Sequence, residues 1–164
     1  MSELKDFLAQ LDEMEAQVGS MLVECTNTVS EVVNERVKDM TPVAIIMKPD
    51  PARYEKDPFY RAAYTEYLKS TEPNFLRKGW HIKPAVMKGR TAEGGVFNNT
   101  KYAPYLEYGH RQRVGKYVPL LGKRLKASFV PGFHMLQKAE DKTQRQIRRL
   151  CDPIVRKYFG EYLE

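Results

Sequence analysis

The sequence predicts an α+β protein with a long N-terminal helix, a small antiparallel β-sheet with a long basic loop, and C-terminal helices packed on the sheet. Apolar residues recur every three or four positions through residues 3–39, as they do along one face of a helix. Residues 76–108 resemble short strands separated by turns, and a helical pattern returns from residue 131. The 164 residues suffice for one domain with its own core, so residues 1–164 are interpreted as a single domain.

The first predicted helix is long for a protein of this size. At 1.5 Å per residue, residues 3–39 would span about 55 Å. Its apolar stripe must be covered, and the sequence leaves two coverings open: the sheet of the same chain or a neighbouring copy. The stripe consists of Leu4, Phe7, Leu11, Met14, Val18, Met21, Cys25, Thr28 and Val32, widened by Leu8, Leu22 and Val29.

The middle of the chain alternates between turn-forming residues and short regular elements. Pro42 ends the first helix, and three prolines within 48–58 predict a loop. Asp57 followed by Pro58 is typical of a helix start and predicts a helix over 58–69. Strands are predicted over 80–87, 96–99 and 101–108, with a turn over 88–95.

The C-terminal third is predicted to contain a loop and two helices. The loop over 109–128 exceeds the usual connection length, which indicates a functional segment or an ordered arm. The apolar pattern predicts a helix over 131–150. Asp152 followed by Pro153 repeats the start signal and predicts a last helix from that point.

Composition excludes several protein classes. Hydrophobic residues make up 42% of the chain and charged residues 29%, which indicates a globular protein. The longest apolar run, 43–47, is far shorter than the roughly 20 residues that span a bilayer, so no membrane partner is expected. The N-terminus is acidic and lacks the pattern of a leader peptide, which predicts a protein that stays in the cytoplasm where it is made.

The two cysteines, Cys25 and Cys151, do not form a metal-binding motif. We expect them to be buried thiols, although the sequence leaves a disulfide between them open. The three histidines are widely spaced, so neither a metal nor a cofactor is expected.

Charge is distributed unevenly along the chain. The net charge is +6, yet residues 1–35 contain eight acids against the single base Lys5. Residues 111–126 contain six bases and no acid. Two surfaces of opposite charge suit head-to-tail self-association, and the basic one also suits a polyanion.

The segment 102–116 carries most of the residue types that bind other molecules. Glu107 and His110 could form an acid–base pair, but in a strand they would point to opposite faces, so no catalytic residue is assigned. The three tyrosines followed by bases suit either base stacking and phosphate contact or a half-buried strand.

Four motifs in order resemble one protein family. They are "TPV" at 41–43, "NFLRKGW" at 74–80, "GGVFNNTKYAPYLEYGHR" at 94–111 and "FVPGFHMLQKAED" at 129–141. Together they resemble the small neck or tail-completion proteins of long-tailed bacteriophages, the minor tail component family. The resemblance covers most of the chain. It departs from the family pattern at residues 44–73, which stand in place of a short link and are interpreted as an insertion.

The resemblance implies a structural subunit without enzymatic activity. It implies a ring, with six copies expected, that joins the head connector or stopper to the tail terminator or tail tube. Such a protein would be assembled in the host cytoplasm and reside in the neck of the virion, where its lumen could contact passing DNA. The alternative is a small basic nucleic-acid-binding protein. The candidate interface residues are Tyr102, Tyr105, Glu107, Tyr108, His110, Arg111, Arg113 and Lys116.

Overall fold

The computed structural model describes residues 2–43, 48–70 and 72–160, except for the side chains of Ser2, Glu3, Asp6 and Ser70. The predicted α+β class is confirmed. The helices are α1 Ser2–Met40, α2 Pro51–Lys56, α3 Pro58–Ser70, α4 Phe75–Lys78, α5 Ala103–Tyr108, α6 Met135–Gln144 and α7 Ile147–Phe159. The strands are β1 Trp80–Lys88, β2 Thr91–Asn98, β3 Gly109–Arg111, β4 Tyr117–Val118, β5 Lys123–Arg124 and β6 Phe129–Pro131. They form three two-stranded sheets, which pair β1 with β2, β3 with β6, and β4 with β5.

The chain folds into two compact units, each assembled from separate segments. The first unit contains 1–37, 80–97 and 136–164, and the second contains 38–79 and 98–135. Residues 44–47 and 71, at the ends of the segment interpreted as an insertion, lie outside the described residues. The single-domain interpretation and the insertion both remain predictions.

In the first unit, polar contacts from α1 reach β1 and the C-terminal helices. Asn27 Oδ1 accepts a 2.8 Å hydrogen bond from the backbone N–H of Ala85 on β1. Arg36 donates a 3.0 Å bond to the hydroxyl of Thr143 on α6. Glu24 accepts from Lys157 and Tyr158 of α7 at 2.9 and 3.0 Å. These contacts lie in the C-terminal two thirds of α1 and anchor that part of the helix.

The N-terminal half of α1 is not covered. Val33 and Val37 are buried, whereas the apolar side chains before residue 20 are each at least 40% exposed. Those exposed side chains are Leu4, Phe7, Leu8, Leu11, Met14 and Val18. The rest of the chain therefore covers only the C-terminal part of the predicted stripe.

In the second unit, aspartates cap α2 and α3. Asp57 Oδ1 accepts from the N–H groups of Phe59 and Tyr60 at 3.0 Å, which confirms the predicted helix start. Asp50 similarly accepts from residues 52 and 53. The predicted loop over 48–58 was therefore wrong in its centre, because this second cap starts the short helix α2.

The strand predicted over 101–108 is wrong, since α5 occupies most of it. Pro104 lies in the first helical turn, where its fixed φ suits a helix. Gly109 follows the last residue with a φ of 83°, a value that favours glycine and stops the helix. The tyrosines suggested a strand, but the proline and the glycine bound a helix.

The predicted loop over 109–128 is part of an ordered antiparallel arm. Its base is the β3–β6 pair, in which His110 lies opposite Val130. Backbone bonds from Gln112 to Ser128 and between Lys116 and Leu125 continue the pairing outward. β4 and β5 complete it near the tip at 119–122. The segment is thus the ordered arm that its length indicated, and only its strand pairing was not predicted, because the β3 and β6 partners at its base lie up to 22 positions apart.

Two further boundaries differ from prediction. The turn between β1 and β2 is limited to residues 89 and 90, so β2 begins at Thr91 within the predicted turn over 88–95. The predicted helix over 131–150 begins at Met135 and is interrupted at residues 145 and 146. Pro153 lies inside α7 instead of starting a helix, because the chain already turns at Gln146.

Candidate interaction surfaces

A tight corner joins the C-terminal end of α5 to the segment between β6 and α6. The carbonyl of Leu106 accepts from the N–H of Phe133 at 2.7 Å, and the carbonyl of Glu107 accepts from the N–H of His134 at 3.1 Å. These bonds satisfy carbonyls that a helix end leaves without partners. A Cβ atom on Gly132 would overlap the carbonyl of Glu107, so the two backbones can approach this closely only at a glycine.

The side chain of Glu107 belongs to this corner and not to the surface. It is 5% exposed, and Oε2 accepts a 2.8 Å hydrogen bond from the N–H of Met135, the first residue of α6. A carboxylate at a helix N-terminus satisfies a donor and interacts favourably with the helix dipole. We therefore assign Glu107 a capping role at Met135.

Tyr102, the residue that precedes α5, and Tyr105 and Tyr108 within α5 project from one side of the helix. A spacing of three residues in a helix places side chains on neighbouring positions of one face. Tyr105 and Tyr108 are 59% and 68% exposed. Tyr102 is less exposed and stacks on Phe75 with ring centroids 6.4 Å apart, and partial burial raises the pKa of its hydroxyl. The predicted interface tyrosines thus share a largely exposed aromatic face.

His110 is half-buried on β3, and its ring meets the edge of Tyr105 at 6.1 Å. Its Nδ1 is buried without a hydrogen-bond partner among the described residues. The expectation that Glu107 and His110 occupy opposite faces of one strand is wrong, because Glu107 is helical. No group of three His, Cys, Asp or Glu side chains suitable for a metal occurs in the described ranges.

Arg111, Arg113 and Lys116 are exposed on the arm. We define the basic arm as residues 111–126, which also carry Lys123, Arg124 and Lys126. Three apolar side chains, Val114, Tyr117 and Leu121, are about half exposed among these bases. The basic arm therefore presents both positive charge and uncovered apolar surface, a combination typical of protein-binding sites.

Arg53 on α2 supports the tip of the basic arm. Its Nη2 donates a 3.2 Å hydrogen bond to the carbonyl of Pro119, and its guanidinium lies 4.4 Å from the ring centroid of Tyr60. Tyr60 is buried and stacks on Tyr64, whose burial raises the pKa of its hydroxyl. The segment interpreted as an insertion thus holds the arm in place, a relation that the sequence did not reveal.

A groove of about 1350 Å³ runs along α1 in the first unit. We define the acidic groove by its four acidic side chains, Asp12, Glu15, Glu24 and Glu31, and by its opposite wall at the β1–β2 turn, which consists of Met87, Gly89 and Arg90. Lys157 is the largest cause of the lowered pKa of the Glu24 carboxyl, so this charge is partly neutralised. The other three acids make no ion pair among the described side chains and face only Arg90 as a base within the lining.

The two cysteines lie together in the first unit as free, half-buried thiols, not as fully buried ones. The pKa of Cys25 is raised from 9.0 to about 11. Burial is the largest cause, and a hydrogen bond with Cys151 is the second. We expect Cys25 in the folded protein to react with iodoacetamide at pH 8 about 100-fold more slowly than in the unfolded chain. Rates measured on Cys151→Ser, which leaves only Cys25, test the part of the shift caused by burial, because the contribution of Cys151 is removed there, and we expect Cys25 to react at least about tenfold more slowly than in the unfolded variant. A rate in the native variant equal to that in denaturant would contradict the expectation.

The same shift in pKa affects stability at alkaline pH. Because the pKa of Cys25 is higher in the folded state, its contribution to stability is complete below pH 9 and is lost as pH rises from 9 to about 11.

Comparison with known protein families identifies the chain as a structural protein of bacteriophage particles. A model of the HK97-gp10-like family, described as "Bacteriophage HK97-gp10, putative tail-component", matches residues 5–109, which is more than half of the chain. The chain therefore belongs to this family, and the resemblance seen in the motifs is confirmed. A tail component is part of the virion. The match runs from α1 to the first residue of β3.

Searches of the curated proteins and of the solved structures find no significant match. Within the described parts of the chain, no helix has both the length and the apolar character needed to cross a bilayer.

Proposed function

We propose that the protein is a structural subunit of the phage head–tail junction, where copies assemble into a ring, six in number, between the head connector or stopper and the tail terminator or tail tube. The observation that carries this proposal is the presence of two unlike exposed surfaces in one member of a tail-component family. One is the apolar and acidic N-terminal half of α1, and the other is the basic arm.

Unlike surfaces support a ring because of how rings are built. A ring uses a head-to-tail contact, in which each copy offers one face to the preceding copy and a different face to the next. Six large apolar side chains along α1 are exposed in the single chain, and their burial would favour association. The tyrosines of α5 add an exposed aromatic face of the type that anchors interfaces.

The proposal can be tested in particles. With gold-labelled antibodies against the chain, we expect label at the point where head and tail meet. Deletion of the gene should leave filled heads and separate tails that do not join, and a plasmid copy should restore joined particles. Label along the tail or at its far end, or complete particles without the chain, would refute the proposal.

A further inference from the structure

We propose that the basic arm of one copy docks into the acidic groove of the neighbouring copy, an inference that rests on the ring proposed above and names its contact surfaces. The occupant of the groove is thus a second copy of this chain. The contact is heterologous, because the arm and the groove are different surfaces of the same molecule.

Charge complementarity is the first argument. The groove presents Asp12, Glu15 and Glu31 without ion pairs among the described residues, while the arm presents six bases and no acid. Opposite potentials steer association and fix which surfaces pair. Groove-to-groove and arm-to-arm contacts would instead place like charges together, so the charge pattern favours the mixed contact.

Apolar surface is the second argument. The groove exposes Leu11, Val18 and Met87, and these side chains lie among its acids. The arm exposes Val114, Tyr117 and Leu121 among its bases. Each surface therefore combines exposed apolar side chains with charges of one sign, so docking would bury apolar area on both copies while the opposite charges pair.

Length is the third argument. The α1 side of the groove extends from Leu11 to Glu31, or about 30 Å at 1.5 Å per residue. From Gln112 to Pro119 the arm measures at most about 26 Å at 3.3 Å per residue. The arm thus fits within the groove, and its Arg53 support holds the tip in a defined position before docking.

The test reverses charges on each surface separately. The groove variant carries Asp12→Lys and Glu15→Lys, and the arm variant carries Arg113→Glu and Lys116→Glu. All four side chains are exposed, and none of them takes part in a hydrogen bond or ion pair among the described residues. In the groove variant two new bases face the basic arm. In the arm variant two new acids face the acidic groove, and the net charge of the arm falls from +6 to +2. We expect at least about a 100-fold loss of infectious particles when either variant replaces the wild-type gene.

The decisive measurement is co-expression of the two variants. The arm of each variant then complements the groove of the other, so copies can alternate around a ring with an even number of subunits. We expect co-expression to restore particle yield to within about tenfold of wild type. A control with Glu55→Lys and Glu66→Lys, exposed acids outside the groove, should assemble normally.

Two results would overturn the docking proposal: single variants that support wild-type yield, or a mixture that stays as defective as its components. Sedimentation of the purified proteins separates this failure from failure of the proposed function. If the gene proved dispensable for particles, the ring assignment would fall, but a 1:1 complex formed only by the mixed variants would still support docking. If the gene were dispensable and the mixed variants also formed no such complex, both the ring assignment and the docking proposal would be refuted.

Discussion

Replacing Gly109 by alanine is expected to destabilise the corner between α5 and β6 by roughly 3 to 5 kcal/mol. Two physical costs combine at this position. Gly109 has a φ of 83°, which residues with a Cβ rarely adopt. A Cβ built there would also overlap the carbonyl oxygen of Val130 and lie 2.8 Å from the N atom of Gly132, so backbone would have to move.

The chain contains controls that separate these two costs. Gly115 has a φ of 82°, but a Cβ there would meet nothing within 4 Å, so Gly115→Ala should lose only about 1 to 2 kcal/mol. Gly132→Ala measures the stability cost of the overlap alone. A Cβ at this position would overlap the carbonyl of Glu107, but Gly132 does not have an unusual φ. Urea unfolding followed by circular dichroism gives the three values. Equal losses for Gly109→Ala and Gly115→Ala would contradict the described packing at the corner.

Replacing Glu107 by alanine is expected to lower stability by about 2 to 3 kcal/mol. The substitution removes the carboxylate that accepts from the N–H of Met135 and leaves a buried donor without that partner. It also removes a negative charge from the N-terminus of α6. The loss should be local, so amide hydrogen exchange at Met135 should accelerate at least about tenfold, while exchange at Leu150 within α7 should change less.

Two substitutions test whether the effect comes from this hydrogen bond. Glu107→Gln keeps an oxygen that can accept from the N–H of Met135, so it should lose less stability than the alanine variant. Glu66→Ala, at an exposed position on α3, should change stability by no more than about 0.5 kcal/mol. If Glu107→Ala were as mild as Glu66→Ala, the capping role of Glu107 would be wrong.

Elements with a strong local signal were predicted from the sequence. The long apolar period predicted α1, and the Asp57–Pro58 pair predicted the start of α3, because capping and periodicity depend on residues within a few positions. Helix α5 also had local signals in Pro104 and Gly109, but its tyrosines led to a strand prediction. In the fold, the last carbonyls of this helix accept hydrogen bonds from the N–H groups of Phe133 and His134. These two residues lie more than 25 positions away, so the sequence pattern around α5 did not reveal the bonds.

The candidate interaction surfaces were predicted only where their signal is local in the sequence. The opposite charges of the first helix and of the segment 111–126 are properties of composition and can be counted in the sequence. Three other features each join residues separated by more than 25 positions. They are the burial of Glu107, the support of the arm by Arg53, and the second wall of the groove at Met87, Gly89 and Arg90.

The sequence by itself thus determined the fold class, the long helix, the family and the presence of two oppositely charged surfaces. The tertiary structure alone decided that the basic segment is a paired arm, that Glu107 lies inside the fold, and that the apolar stripe of α1 is covered only in its C-terminal part. Hydrophobic period, capping and charge are local properties of the chain, whereas strand pairing and burial depend on which distant segments meet.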